Sequence, residues 1–374
     1  MHLTFGRQAR SKPTSEQSAD PPPVGFAPVA RPVQHSWLRR RLQVIGLVAL
    51  ALTATCTLFL FILGAQGPTA IGSDTSNYFA AGQRLNAGHA LYALRPGDRP
   101  VGNGGSPYPW SYPFLSPPPP AVLWRALALL PGDMSMYLWW LVGAEASLLL
   151  GWWLIVRSQT ATLPFVLILI PTLSVTAWSG NLNALLIPCS ALVWLAATRK
   201  RRVAAGLLVA VSGLLKLTPG LFAWWFIVRG DRRALGSCLG GAVIGLALSI
   251  LGAGLAAHLQ YFAVARESSS VGLSSISLVS VARTLGAPGP VAMLAPYVCA
   301  AMAAAAAWLL RRSAQWSFAA CAVGVTLGTP TLRIETLAWG LVALVPWATE
   351  TSLAWRVRPC LPRTSGKSTS TGDL

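Results

Sequence analysis

The sequence predicts an all-α polytopic membrane protein of about ten transmembrane helices, with interfacial and half-helices added on its outer face. Three observations predict it. The chain is 53% hydrophobic and only 11% charged, about half the charge share of a soluble domain. Apolar runs of membrane length recur from residue 43 onward, where a β-barrel would show short alternating segments. Basic residues gather at the ends of those runs: Arg39-Arg40-Arg41, Arg157, Arg199-Lys200-Arg201-Arg202, Arg229 with Arg232 and Arg233, Arg311-Arg312, and Arg356 with Arg358. This is the positive-inside pattern, so the net charge of +18 speaks for topology and against a nucleic-acid partner.

Residues 1–36, with Pro21-Pro22-Pro23 and scattered Ser and Arg, predict a disordered cytoplasmic tail. Arg39–Arg41 then anchor a helix over about 43–65, an uncleaved signal anchor. Residues 66–117 form an outer loop rich in Gly, Pro and aromatics. Residues 118–131 fall short of the roughly 20 that a span needs, so they predict an interfacial or half-inserted helix on the outer side. Runs at 134–156, 161–179 and 182–198 follow; the first and third end in basic residues, so the 179–182 corner faces out. Two short runs, 203–215 and 217–229, make a hairpin whose apex carries Lys216 outward or at depth. A helix at 234–256 leads to an outer loop at 258–288, and 290–310 returns to Arg311-Arg312. The last pair, 315–330 and 336–355, turns outside around Arg333 and Glu335.

Residues 37–356 are therefore one membrane domain, and 357–374 a second disordered cytoplasmic tail. Both termini are expected on the cytoplasmic side of the plasma membrane. Eight of the 29 Lys and Arg residues fall outside (Arg84, Arg95, Arg99, Arg125, Lys216, Arg266, Arg283 and Arg333), leaving 21 inside. No internal repeat is visible, which weighs against inverted-repeat transporters. The six cysteines lie in or beside apolar runs with no C-x-x-C pair, predicting neither a disulfide frame nor a metal site.

Four motifs fall on the outer face in chain order. They are Asp74-xxx-Tyr78-xx-Ala81 with Gly88-xxx-Tyr92, the aromatic-proline loop Tyr108-Pro109-Trp110-Ser111-Tyr112-Pro113, the corner Gly180-Asn181-Leu182-Asn183, and the hairpin Gly213-Leu214-Leu215-Lys216-Leu217-Thr218-Pro219. In these the chain resembles glycosyltransferase family 87 over roughly residues 43–350. Asn181 stands where that family usually has Gln, and Arg333 and Glu335 stand in a turn where it often carries His. The resemblance implies a GT-C-like fold and an extracytoplasmic transferase. Its donor would be a polyprenyl-phosphate sugar (mannose, or alternatively arabinofuranose), its acceptor a glycolipid or glycan hydroxyl, and it would need no metal or other cofactor. Asp74 would then be catalytic, with Lys216, Arg266 and Arg333 on the donor phosphate. Tyr78, Tyr108, Trp110, Tyr112, Asn181, Asn183 and Glu335 would contact substrate.

The residues support that chemistry on their own terms. Nucleotide sugars are confined to the cytoplasm, so an outward site needs a lipid-borne donor. The chain has no D-x-D, the usual metal–diphosphate clamp. A polyprenyl phosphate leaves as an anion, so what remains is to take a proton from the acceptor and to neutralise phosphate. Asp74, one of 11 acids, lies nine residues past the first apolar run and suits the general base; the competing role is an N-cap for a helix from Thr75. Lys216 sits between apolar half-helices, where a charge costs roughly 2.5–3.5 kcal/mol; it contacts phosphate or snorkels to the interface. Arg266, Arg283 and Arg333 are phosphate contacts or plain loop charges. Glu145, mid-run, is a second acid, a proton relay or a protonated residue bonded to a neighbouring helix. Tyr108, Trp110 and Tyr112 stack on sugar or form an interfacial belt. A lipid-linked flippase or secondary transporter is the competing class, and would place its ionisable groups near the midplane.

Overall fold

In a computed structural model of the chain, residues 35–64, 73–96, 112–270, 277–329 and 334–354 are described. The expected tails and Tyr108, Trp110 and Arg333 lie outside the described residues, as does the side chain of Glu335. Helices account for the architecture, and no strand occurs among the described residues.

The first helix, α1, is His35–Gly64. The expected outer loop, 66–117, contains a 14-residue helix, α2 (Ser73–Asn86). At the place of the expected short helix over 118–131 stands α3 (Pro118–Leu127), whose prolines sit where helix N–H groups have no intrahelical partner anyway. The bundle continues with α4 (Gly132–Arg157), α5 (Leu163–Trp178), α6 (Asn183–Thr198) and α7 (Arg202–Leu215). Lys216 leaves the helical conformation, and Pro219 opens a 3₁₀ turn, Thr218–Leu221, into α8 (Phe222–Arg229). Gly230 closes α8 in the left-handed region, and Asp231 caps α9 (Arg232–Ala253) by accepting from Ala234 N at 3.1 Å. The expected outer loop at 258–288 is also partly helical: α10 (Leu255–Ser270) and α11 (Leu278–Thr284). Then come α12 (Gly289–Ala292), α13 (Ala295–Leu309), α14 (Ala314–Leu327), α15 (Ile334–Leu337) and α16 (Gly340–Ala354).

Two stretches among the described residues are long and apolar enough to cross a membrane: Arg232–Ala253 and Gly289–Leu309. Two of the roughly ten expected spans therefore meet that length test; the cores of α5, α6, α7, α14 and α16 are shorter apolar helices.

Contacts between helix ends sort the bundle into two poles. Arg39 donates to Val156 O, and Gln43 donates to Ile155 O and Val156 O, placing the start of α1 beside the end of α4. Arg229 donates to Arg311 O at 2.9 Å, and Arg202 pairs with Asp231 at 3.4 Å. The basic clusters thus share one pole. The opposite pole holds α2, α3, the α5–α6 corner and the α7–α8 apex. There Arg125 of α3 donates to Gly252 O at the end of α9 and to Asn86 Oδ1 of α2. Helix length shapes this second pole. At 1.5 Å per residue, α5, α6 and α7 run about 21–24 Å, whereas α9 runs about 33 Å and α4 about 39 Å. The short inner helices stop well before their longer neighbours do.

Candidate active site

Asp74, Asn181, Asn183 and Lys216 form one hydrogen-bonded chain where the short helices end. Asn181 Nδ2 donates to Asp74 Oδ2 at 2.6 Å. Asn181 Oδ1 accepts from the Asn183 backbone N–H at 2.9 Å. Lys216 Nζ donates to Asn183 Oδ1 at 2.9 Å. Both Asn181 amide atoms are thereby committed, and their partners fix its orientation: the opposite flip would aim its oxygen at a carboxylate.

The backbone explains how residues so far apart in sequence meet. Gly180 adopts φ +64, a conformation that a β-carbon disfavours, and turns the chain between α5 and α6. Its carbonyl accepts from Thr75 Oγ1 at 3.2 Å and from Trp139 Nε1 at 3.1 Å. The Asp74 N–H donates to Ser179 O at 3.2 Å. The first turn of α2 is thus latched to the corner by backbone and side chain together. Asp74 lies inside that first turn, and its carboxylate reaches across to Asn181.

Tyr78, one turn further along α2, is buried; its ring lies 6.1 Å from Trp124 and 6.2 Å, edge-on, from Phe114. The Ser116 side chain and the Leu182 backbone lie beside its hydroxyl. Burial first, then the nearby Asp74 carboxylate, push that hydroxyl well above the ordinary phenol range, so it remains neutral. Tyr92 of the Gly88-xxx-Tyr92 motif donates to Ser116 O at 2.7 Å, just ahead of α3. Tyr112, in the same loop, packs half-buried against the core.

The remaining described candidates lie on other helices. Arg266 is exposed on α10, and Arg283 is exposed on α11. Glu335 belongs to α15, which packs beside α5. Glu145 is exposed midway along α4, and among the described residues it has no hydrogen bond or ion pair to a neighbouring helix. Sequence reasoning missed the latch itself: Ser179, Thr75 and Trp139. Thr75 adjoins Asp74, but no spacing links Trp139 to the corner.

A family model described as glycosyltransferase family 87 matches residues 114–333. The chain belongs to glycosyltransferase family 87. The match takes in Asn181, Asn183 and Lys216, and begins downstream of Asp74. No curated protein and no solved structure matches the chain. Family membership makes this a membrane glycosyltransferase, with a lipid-linked sugar donor and an acceptor.

Proposed function

We propose that this family 87 transferase is an inverting mannosyltransferase acting at the outer face of the plasma membrane, with Asp74 as its general base. The observation that carries this reading is the chain from Asp74 through Asn181 and Asn183 to Lys216. It pairs a carboxylate with a cation at the pole opposite the basic clusters. Under the positive-inside rule the basic pole is cytoplasmic, so about ten membrane segments, counting the arms of the hairpin, carry the site outward.

The acceptor hydroxyl attacks the anomeric carbon from the face opposite the phosphate. Asp74 takes the hydroxyl proton as the new C–O bond forms and the bond to phosphate breaks. Phosphate leaves as an anion beside the Lys216 ammonium, with no need of protonation or metal. A β-linked polyprenyl-phosphate mannose becomes an α-glycoside. Asn181 acts through Asp74 by holding the carboxylate at one angle, so it is a positioning residue. Neutral Tyr78 does not compete for the proton. Arg266 and Arg333 complete the phosphate contacts, and Tyr108, Trp110, Tyr112 and Glu335 contact sugar or acceptor. The same atoms would serve a polyprenyl-phosphate arabinofuranose, the alternative donor.

Purified protein, labelled polyprenyl-phosphate mannose or arabinose, and an envelope-lipid extract test this. Mannose transfer is expected from the wild type and not from Asp74→Asn. Equal turnover by that variant removes Asp74 from the chemistry, and transfer of arabinose alone changes the sugar. In whole cells, an impermeant thiol reagent should label Asp74→Cys from outside; labelling only after lysis inverts the topology.

A further inference from the structure

Along α4, Leu138, Val142, Glu145, Leu149, Trp152 and Val156 are all exposed. Their spacings alternate four and three residues, the heptad interval at which one helix packs along another. The seam is about 27 Å long, close to the roughly 30 Å of bilayer hydrocarbon. An exposed apolar stripe alone marks only a lipid-facing surface. The exposed residues of α9 beyond its first turn, such as Leu239, Val243, Ile244, Leu248 and Leu251, are of that kind, with no polar side chain among them. The α4 seam differs by one carboxyl, set midway along a 26-residue helix.

If α4 spans the membrane, as the reading above holds and on which this inference rests, that carboxyl faces lipid at depth. An unpaired charge is costly there, and so is a carboxyl without a hydrogen-bond partner. A neutral carboxyl carries one O–H donor and a carbonyl acceptor, and hydrocarbon offers a partner for neither. A second copy does. Two copies in one membrane share an orientation, so a two-fold axis along the membrane normal brings α4 against α4, parallel and in register. Each Glu145 then meets its equivalent, and each O–H donates to the carbonyl of the other. We propose that the α4 seam is the interface of a homodimer whose register is set by the Glu145 pair. A single polar residue inside a heptad seam is a known device for fixing register and oligomeric state.

The test uses full-length protein reconstituted in vesicles at low protein-to-lipid ratio, with a photo-crosslinking residue at Leu149 or, as control, at Val243. Crosslinked dimer is expected from position 149 and not from 243. By energy transfer between labelled copies, Glu145→Leu should weaken association about tenfold, whereas Glu145→Gln, which keeps a donor and an acceptor, should retain it. A monomer at every ratio, or Glu145→Leu associating like the wild type, overturns the proposal. In native membranes, capture of a different polypeptide at 149 in place of a second copy also overturns it. Labelling of Glu145→Cys by a water-soluble maleimide would instead show that α4 is not at depth; the span reading would fail first, and the dimer with it.

Discussion

At the pole carrying Arg157, Arg202, Arg229 and Arg311, cationic side chains stand exposed; there Arg229 donates to the Arg311 carbonyl and Arg202 pairs with Asp231. At the other pole, Asp74, Asn181, Asn183 and Lys216 hold one another, and three further bonds lock the corner that presents them. The difference separates two uses of polarity. Charge at the first pole needs only to stay in water, which a hydrated arginine does wherever its helix ends. Polarity at the second pole needs geometry, so these side chains bond to one another; among the described residues, Asn183 Nδ2 is the one buried side-chain atom of the four left without a partner. Substitutions at the two poles should therefore differ in kind as well as in size.

The largest effect belongs to Asp74→Asn. Removing a general base costs about 10²–10⁴-fold in rate, and the amide still has an oxygen to accept from Asn181. Expression and thermal unfolding should therefore stay near wild type while transfer collapses. Asn181→Leu comes next: the carboxylate remains but loses the donor that aims it, and a displaced catalytic group loses on the order of 10² in rate. The loss should appear in kcat with donor KM little changed, and Asn181→Gln, which keeps both amide atoms, should recover part of it. Lys216→Met should do the reverse. Loss of a charged hydrogen bond to phosphate, about 1.5–3 kcal/mol, raises the donor KM by roughly 10–100-fold in steady-state assays. If Asn181→Leu and Lys216→Met give the same kinetic signature, the two ends of the chain do not have separate jobs.

Much of this arrangement was legible in the sequence. Apolar runs and basic clusters foretold most helix ends to within a few residues, because lipid and charge act on long stretches. The runs at 182–198 and 203–215 became Asn183–Thr198 and Arg202–Leu215. Asp74, Asn181, Asn183 and Lys216 stood out because polar residues are expensive in apolar surroundings, and the fold brings those four together. Less legible were α2, α10 and α11, read as loops, because short helices in polar segments lack a long apolar run to announce them. The latch was invisible as well. Trp139 bonds to Gly180 through a tertiary contact that neither residue's neighbours encode.

Gly82→Ala probes the support beneath the site. A β-carbon at Gly82 would lie 2.6 Å from the Trp124 carbonyl oxygen, so α2 must shift off α3. Overpacking of this kind costs about 1–3 kcal/mol. The apparent Tm in detergent should fall, and transfer should fall with it as Asp74 moves away from Asn181. A variant with lowered Tm and full activity would mean that the latch to Gly180 positions α2 without help from α3.

The smallest effect is expected at the other pole. Arg202→Gln removes the 3.4 Å contact to Asp231, whose side chains are 52% and 20% exposed. Exposed pairs of this sort contribute about 0–1 kcal/mol. Asp231 keeps its own task, since its other oxygen accepts from Ala234 N at the start of α9. The basic cluster retains Arg199, Lys200 and Arg201, so one lost charge should leave topology intact. Transfer should match wild type within assay error, and Tm should move by a degree or two at most. A loss of activity comparable to Asn181→Leu would show the two poles to be mechanically joined through α7, the helix that runs from Arg202 to Lys216. In that event the site would depend on the position of α7 as a whole, beyond the local bonds at its end.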